Sequence, residues 1–152
     1  FAQSWGWGMR MFVLGVFLAV LGVSAAVSAA DTGDAINGTW LVADGTSKVQ
    51  ISNANGAVEG HVVWLKDPQG ADGQPKVDRL NPDASLRNRP VMGLAVLTGF
   101  HYAGNNIWEG GTVYTPSAGK SYPCKLTLAA DGSLKLTVGG GVFGRTLTWT
   151  RA

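Results

Sequence analysis

Side chains able to do acid–base, metal or nucleophilic chemistry are few in this chain, and they are scattered. The two histidines, His61 and His101, lie far apart with no acid pattern beside them. Zinc wants three or four ligands, so no metal site is expected. Cys124 is the single cysteine. It can form neither an intramolecular disulfide nor a cysteine-based metal site. Following Pro123 in an apolar alternation, it reads as a buried, inert thiol. No Gly-x-Ser-x-Gly elbow is present. Glu59 and Glu109 could act as paired carboxylates, but charges on a sheet surface are the plainer reading. No helical pattern follows Gly139-Gly140-Gly141, so it reads as a turn or bulge and not as a phosphate cradle. The acids from Asp67 to Asp78 lack the spacing of a calcium loop. With no catalytic constellation, the expectation is a protein that is not an enzyme and needs no cofactor.

What remains is chemistry of recognition. The aromatic residues Trp64, Phe100, Tyr102, Trp108, Tyr114 and Trp149, with Tyr122 and Phe143, could line an apolar ligand cavity or pack as core. Arg145 joins them as a ligand-binding candidate. Pointing inward, it would be costly unless paired, and it could hold a ligand carboxylate. It could equally stack on Trp40 or Trp149, or pair with Glu59 or Glu109. Arg151 is a rival for the Trp40 contact. Asp83, Arg87 and Arg89 form a second group, suited to meeting a protein partner.

These residues need a scaffold, and the pattern predicts eight strands. They are Gly38–Ala43, Ser47–Ser52, Ala57–Leu65, Leu94–Tyr102, Ile107–Thr115, Lys120–Ala129, Ser133–Val138 and Val142–Arg151. Asp44-Gly45, Asn53–Gly56, Ala103–Asn106, Pro116–Gly119 and Asp131-Gly132 turn them. Alternation puts Val58, Val62 and Trp64 on one face of the third strand. It puts Arg145, Leu147, Trp149 and Arg151 on one face of the eighth. Strands joined by tight turns suggest an all-β, antiparallel up-and-down barrel, because closure hides every edge. A sandwich needs longer crossovers. The exception is Lys66–Pro90, a 25-residue stretch with no strand character, which is long for a structureless connection. It should carry about two helical turns over Pro82–Asn88, capped by Asn81. It should lie across one barrel end as a plug or lid.

The remainder of the chain is an address. Arg10 precedes an apolar run from Met11 to Val23, then small residues to Ala30, the layout of a secretory signal cleaved after Ala29 or Ala30. A retained anchor is the rival, since Met11–Ala30 is long enough to span. Residues 1–8 precede the first Met and read as a non-native preface. That leaves residues 31–152 as one domain, periplasmic or secreted, with no span after cleavage. The chain of 152 residues has formal net charge +2 and only 14% charged residues. Such a near-balance without basic clusters speaks against nucleic acid. At 45% hydrophobic it is not a disordered composition.

Two resemblances emerge. Gly38-Thr39-Trp40 with Arg145 or Arg151 late in the chain resembles the calycin pattern of lipocalins and fatty-acid-binding proteins. In that pattern Gly-x-Trp opens the barrel and a late arginine packs on the ring. The resemblance implies a structural floor of Gly38, Trp40 and Arg151. A wider likeness runs through Val63-Trp64-Leu65-Lys66, Asn81-Pro82-Asp83, Leu86–Pro90, Trp108–Tyr114, Gly119–Tyr122, Asp131–Leu134 and Gly144–Thr146 with Trp149–Arg151. These resemble the bacterial exported family called domain of unknown function 2147. Membership implies a signal peptide, a small lipocalin-like barrel and no settled activity. Family members often carry cysteines where this chain has Ala57 and Met92, so that disulfide is absent here. The function expected is binding of a small hydrophobic or amphipathic ligand, of lipid or fatty-acid type, in the barrel. The alternative is an interaction module for an envelope protein, with a filled barrel, acting through the 66–90 loop.

Overall fold

A computed structural model of the chain describes residues 32–140, 142 and 144–152. The expected preface and signal segment lie outside the described residues. Eight antiparallel strands follow one another in chain order and close into a barrel. They are β1 (Gly38–Leu41), β2 (Ser47–Ala54), β3 (Ala57–Leu65), β4 (Ala95–Gly104), β5 (Ile107–Thr115), β6 (Lys120–Leu128), β7 (Leu134–Val138) and β8 (Arg145–Arg151). Closure is made by β8 against β1, with Arg151 opposite Trp40. Every strand thus has two partners, and no strand edge is left open.

Turn chemistry sets the register. Asn55 and Gly56 take φ of 53° and 85°, the pair of positive values a two-residue type I′ turn requires between β2 and β3. Alternation then fills the interior from all eight strands. Trp40, Ile51, Val58, Leu97, Phe100, Trp108, Leu126, Leu134 and Leu136 are among the core residues at 0–1% exposure.

The barrel has two unlike ends. The floor is the end where β1, β3, β5 and β7 begin, and a 3-10 turn over Asp34–Ile36 covers it. The rim is the other end, where β3 passes into the long connection and β4 returns.

Three expectations need correction. The two-turn helix is a single 3-10 turn, Ala84–Leu86, and its cap is Asp83, whose carboxylate accepts the Ser85 backbone N–H at 2.9 Å. Asn81 is taken by other work: its side-chain oxygen accepts the Asp83 N–H. Second, the stretch around residues 78–82 does not plug the barrel mouth. It is strapped to the outer wall, where the Asp78 carboxylate accepts the Tyr114 hydroxyl at 2.6 Å. Gly119 lies so close under the Leu80 carbonyl that no side chain would fit there. Third, Trp64 does not share the face of Val62. The β2–β3 register jumps there, with Val49 opposite Val62 but Lys48 opposite Trp64. Val63 is the extra residue of a bulge, and one extra residue reverses which face follows.

Candidate functional site

At the floor, Arg151 and not Arg145 lies over Trp40, with its guanidinium carbon 4.3 Å from the ring centroid. Its two terminal nitrogens donate to the carbonyls of Asn37 and Ala35 at 2.8 and 2.5 Å. The Trp40 indole N–H donates to the Ile36 carbonyl at 2.9 Å, and that of Trp108 to the Gly33 carbonyl at 3.2 Å. Each large ring therefore buries its face and still satisfies its one donor. Gly38 makes the stack possible. Its φ is 137°, and a Cβ there would stand 2.6 Å from an Arg151 nitrogen. This end is closed over the core by rings, a cation and backbone carbonyls.

On the rim side, a fully buried carboxylate organises the long connection. Asp78 accepts from the Tyr114 hydroxyl at 2.6 Å, from Asn81 Nδ2 at 2.8 Å, and from Arg89 Nε and Nη2 at 3.2 and 3.1 Å. Burial would raise its pKa, but the hydrogen bonds from Asn81, Tyr114 and Arg89 outweigh it and hold the carboxyl below its ordinary value. Burial and the bond to Asp78 push the Tyr114 hydroxyl up to about 12. Neither group is poised for proton transfer near neutrality. Together they fasten the connection to the wall.

The loop charges Asp83, Arg87 and Arg89 are largely used within this strap. Asp83 caps the 3-10 turn, Arg89 holds Asp78, and Arg87 Nε donates to the Asn81 carbonyl at 2.8 Å. Beside them is an external recess of about 320 Å³, lined by Asn81, Pro82, Arg89, Thr98, Thr112 and Tyr114 among others. A second recess of about 360 Å³ lies on the surface by Asp131, Ser133 and Arg151. Neither recess is the barrel interior.

Of the seven residues expected round a central ligand, four pack together in the core and three, Tyr114, Trp64 and Arg145, stand apart from them. Phe100 and Trp108 are fully buried in the packed floor half, and Tyr102 stacks on Trp108 with centroids 5.0 Å apart. Trp149 is core at 5% exposure. Tyr114 faces outward to Asp78. Trp64 is 40% exposed on the outer wall, with Lys48 Nζ 5.2 Å from its ring centroid. Arg145 is exposed at the first position of β8, opposite Val138.

Several inward-facing side chains toward the rim keep a little exposure. Inward-facing Val62, Val113, Cys124 and Val138 keep 4–8% exposure, and Tyr122, Leu65 and Leu147 are only half-buried. Val138 stands two residue steps along β7 from the fully buried Leu136, a depth of ~7 Å. These rim-side residues are the least covered of the inward-facing side chains on that side, and Arg145 stands beside them, opposite Val138.

The titratable residues weighed for catalysis stand on the outer wall. His61 meets Glu59 at 3.2 Å and the Gly93 carbonyl at 3.2 Å. That carbonyl and the Glu59 carboxylate raise its pKa above the ordinary 6.5. His101 and Glu109 face each other across β4 and β5. Among the described residues no group of three or more potential ligands could hold a metal ion.

Sequence reasoning missed Asp78 and its union with Tyr114. The only local hint is Asn81 three residues on, whose side chain folds back to it.

An eight-stranded up-and-down barrel, floored by Gly-x-Trp under a late arginine, defines a lipocalin-like protein. A solved structure agrees: protein HP1028 from the human pathogen Helicobacter pylori, described as belonging to the lipocalin family, is 27% identical. The match has TM-score 0.67 and covers 77% of this chain and 82% of that one. No curated protein matches this chain. Residues 38–151 match the family described as "Uncharacterized protein conserved in bacteria (DUF2147)", and the chain belongs to that family.

Proposed function

We propose that this protein is an exported binding protein, not an enzyme, that takes a small amphipathic ligand of lipid or fatty-acid type at the rim of its barrel. The observation that carries the reading is the gradient of burial along the inward-facing side chains. Trp40, Phe100, Trp108 and Leu134 toward the floor are at 0% exposure, against 4–8% for Val62, Val113, Cys124 and Val138 toward the rim. Parting of these side chains would open a shallow apolar funnel for the apolar end of a ligand, and an anionic head would meet Arg145. The kinship with a lipocalin-family structure supports small-ligand binding as the general role. The depth of ~7 Å favours a short apolar group, or the end of a longer chain, over a fully swallowed one. The envelope-partner reading needs Asp83, Arg87 and Arg89 free, and the strap uses all three.

The test is native mass spectrometry of the protein recovered from the cell envelope without refolding. A bound mass that organic extraction removes supports the carrier reading, and Arg145→Ala should then weaken retention of an anionic ligand. Val138→Trp should block uptake by filling the funnel. A clean apo mass, unchanged after incubation with a lipid extract, would overturn the reading.

A further inference from the structure

Among the described residues, the large apolar side chains left exposed all stand at one end of the barrel. Val63 and Trp64 end β3, at 43% and 40% exposure. Leu80 and Met92 lie on the long connection at 53% and 43%. Val142 stands between β7 and β8 at 95%. None belongs to the floor. A set of exposed apolar residues gathered at one end of the barrel marks an interaction face.

Charge is sorted the same way. Of the eleven Lys and Arg among the described residues, eight stand on the long connection or at the rim ends of strands. Five acids accompany them, and one of these, Asp78, is buried and paired. The remaining described surface has three bases against four acids. The rim therefore carries about +3 and the remainder about −1 on this count. The cations are interleaved with the apolar residues: Lys48 lies on Trp64, Lys66 follows it in sequence, Arg79 precedes Leu80, and Arg145 follows Val142 by three positions. A tryptophan beside lysines, with aliphatic tips around it, suits the water–lipid boundary, where ring and cation stem are apolar and their polar ends stay wet.

We propose that the rim docks on the surface of an anionic bilayer, with Trp64, Leu80, Met92 and Val142 entering the headgroup region and Lys48, Lys66, Arg79 and Arg145 meeting lipid phosphates. A protein partner of neutral surface would leave the excess of cations unanswered. The orientation turns the funnel toward the lipid, so docking goes beyond the carrier reading and can succeed or fail apart from it.

The experiment uses the protein recovered from the envelope, and vesicles of phosphatidylcholine with or without phosphatidylglycerol, some with brominated acyl chains. The signal is the bromine quenching lost when Trp64→Phe removes one emitter, which reports where Trp64 itself sits. Quenching attributable to Trp64 is expected only with the anionic vesicles, and is expected to fade as salt rises. Lys66→Gln with Arg79→Gln should lower partitioning about twenty-fivefold, at about fivefold per cation. Val142→Asp should weaken it further without altering the fold, since that side chain is almost wholly in solvent. Equal quenching with neutral vesicles, or none attributable to Trp64, overturns the proposal. So does protection of Trp64 from acrylamide that grows with protein concentration and needs no lipid, which would assign the face to a second copy. Retained ligand mass with no vesicle binding would refute docking and leave the carrier reading standing.

Discussion

Replacing Asp78 with alanine should cost the protein about 3–5 kcal/mol, the range for breaking a buried ionic group away from its partners. The structure supplies the parts. The Tyr114 hydroxyl and Asn81 Nδ2 each lose a charged acceptor in a buried or half-buried setting, at 2.6 and 2.8 Å. Each such bond contributes about 1.5–3 kcal/mol. Arg89 loses its acceptor too, but its side chain is 39% exposed and can turn to water. Its share is about 0–1 kcal/mol. Tyr114→Phe removes one of these bonds and should cost about 1.5–3 kcal/mol. A double-mutant cycle between the two positions should show coupling, because both changes delete the same contact.

The assays are urea unfolding followed by tryptophan fluorescence, and native hydrogen exchange. The second is needed because the strap could open locally. If it does, the bonds Asp78 N–H to Arg89 O and Val91 N–H to Lys76 O would lose protection before the barrel does. Stability should also fall at acid pH. The folded carboxyl is held below its ordinary 3.8, so the folded state binds the proton less readily than the unfolded one. That contribution is complete above about pH 4 and is lost as pH falls through the lower folded value. A loss under about 1 kcal/mol in Asp78→Ala, with unchanged exchange over residues 76–91, would refute the strap.

Arg151→Ala should cost about 2 kcal/mol, from one cation–π contact and two carbonyl bonds at a partly wet site, and Arg151→Lys should recover less than half, since an ammonium cannot hold both carbonyls while covering the ring; thermal unfolding checks both. Cys124, buried with its thiol pushed up from 9.0 to about 11, should react with iodoacetamide about a hundredfold more slowly in the folded protein than unfolded at pH 8, by mass spectrometry. The Tyr114 hydroxyl, raised from 10.0 to about 12, should contribute stability below pH 10 that is lost as pH rises toward 12, and Tyr114→Phe should lose that alkaline component in unfolding curves.

Much of the barrel is legible from short-range pattern. β3 and β5 run over the residues that alternation and turn signals delimit, and β8 begins at Arg145 instead of Val142 because the tip between β7 and β8 is longer than the pattern suggests. What fails is what one residue of register can invert. Val63 adds a single residue to β3, and Trp64 passes from the interior to solvent. Such a bulge leaves no mark on composition. Arg145 fails for a different reason. Its parity is inward, but parity says nothing of where along the barrel the core stops. Asp78 is illegible because its decisive partner, Tyr114, is 36 residues away, and no local spacing relates a loop acid to an outward-facing position on a strand. The floor is more readable, since Gly38, Trp40 and Arg151 each have a residue type that few other arrangements demand.

The two barrel ends divide the work of the sequence between them. At the floor, each cation, ring N–H and loop carbonyl described above has its partner, and no buried side-chain nitrogen or oxygen among the described residues lacks one. Residues there are held by stability. At the rim, Trp64, Leu80, Met92 and Val142 give up burial, which would otherwise contribute about 1.5–3 kcal/mol for each large apolar side chain. Folding alone gives no reason to keep apolar side chains in water, with cations among them, at one end of the barrel. Polar replacements there should leave the unfolding midpoint within about 0.5 kcal/mol of the parent. A change at the rim that spares stability and removes lipid contact would therefore separate the residues that make the barrel from those that put it to use.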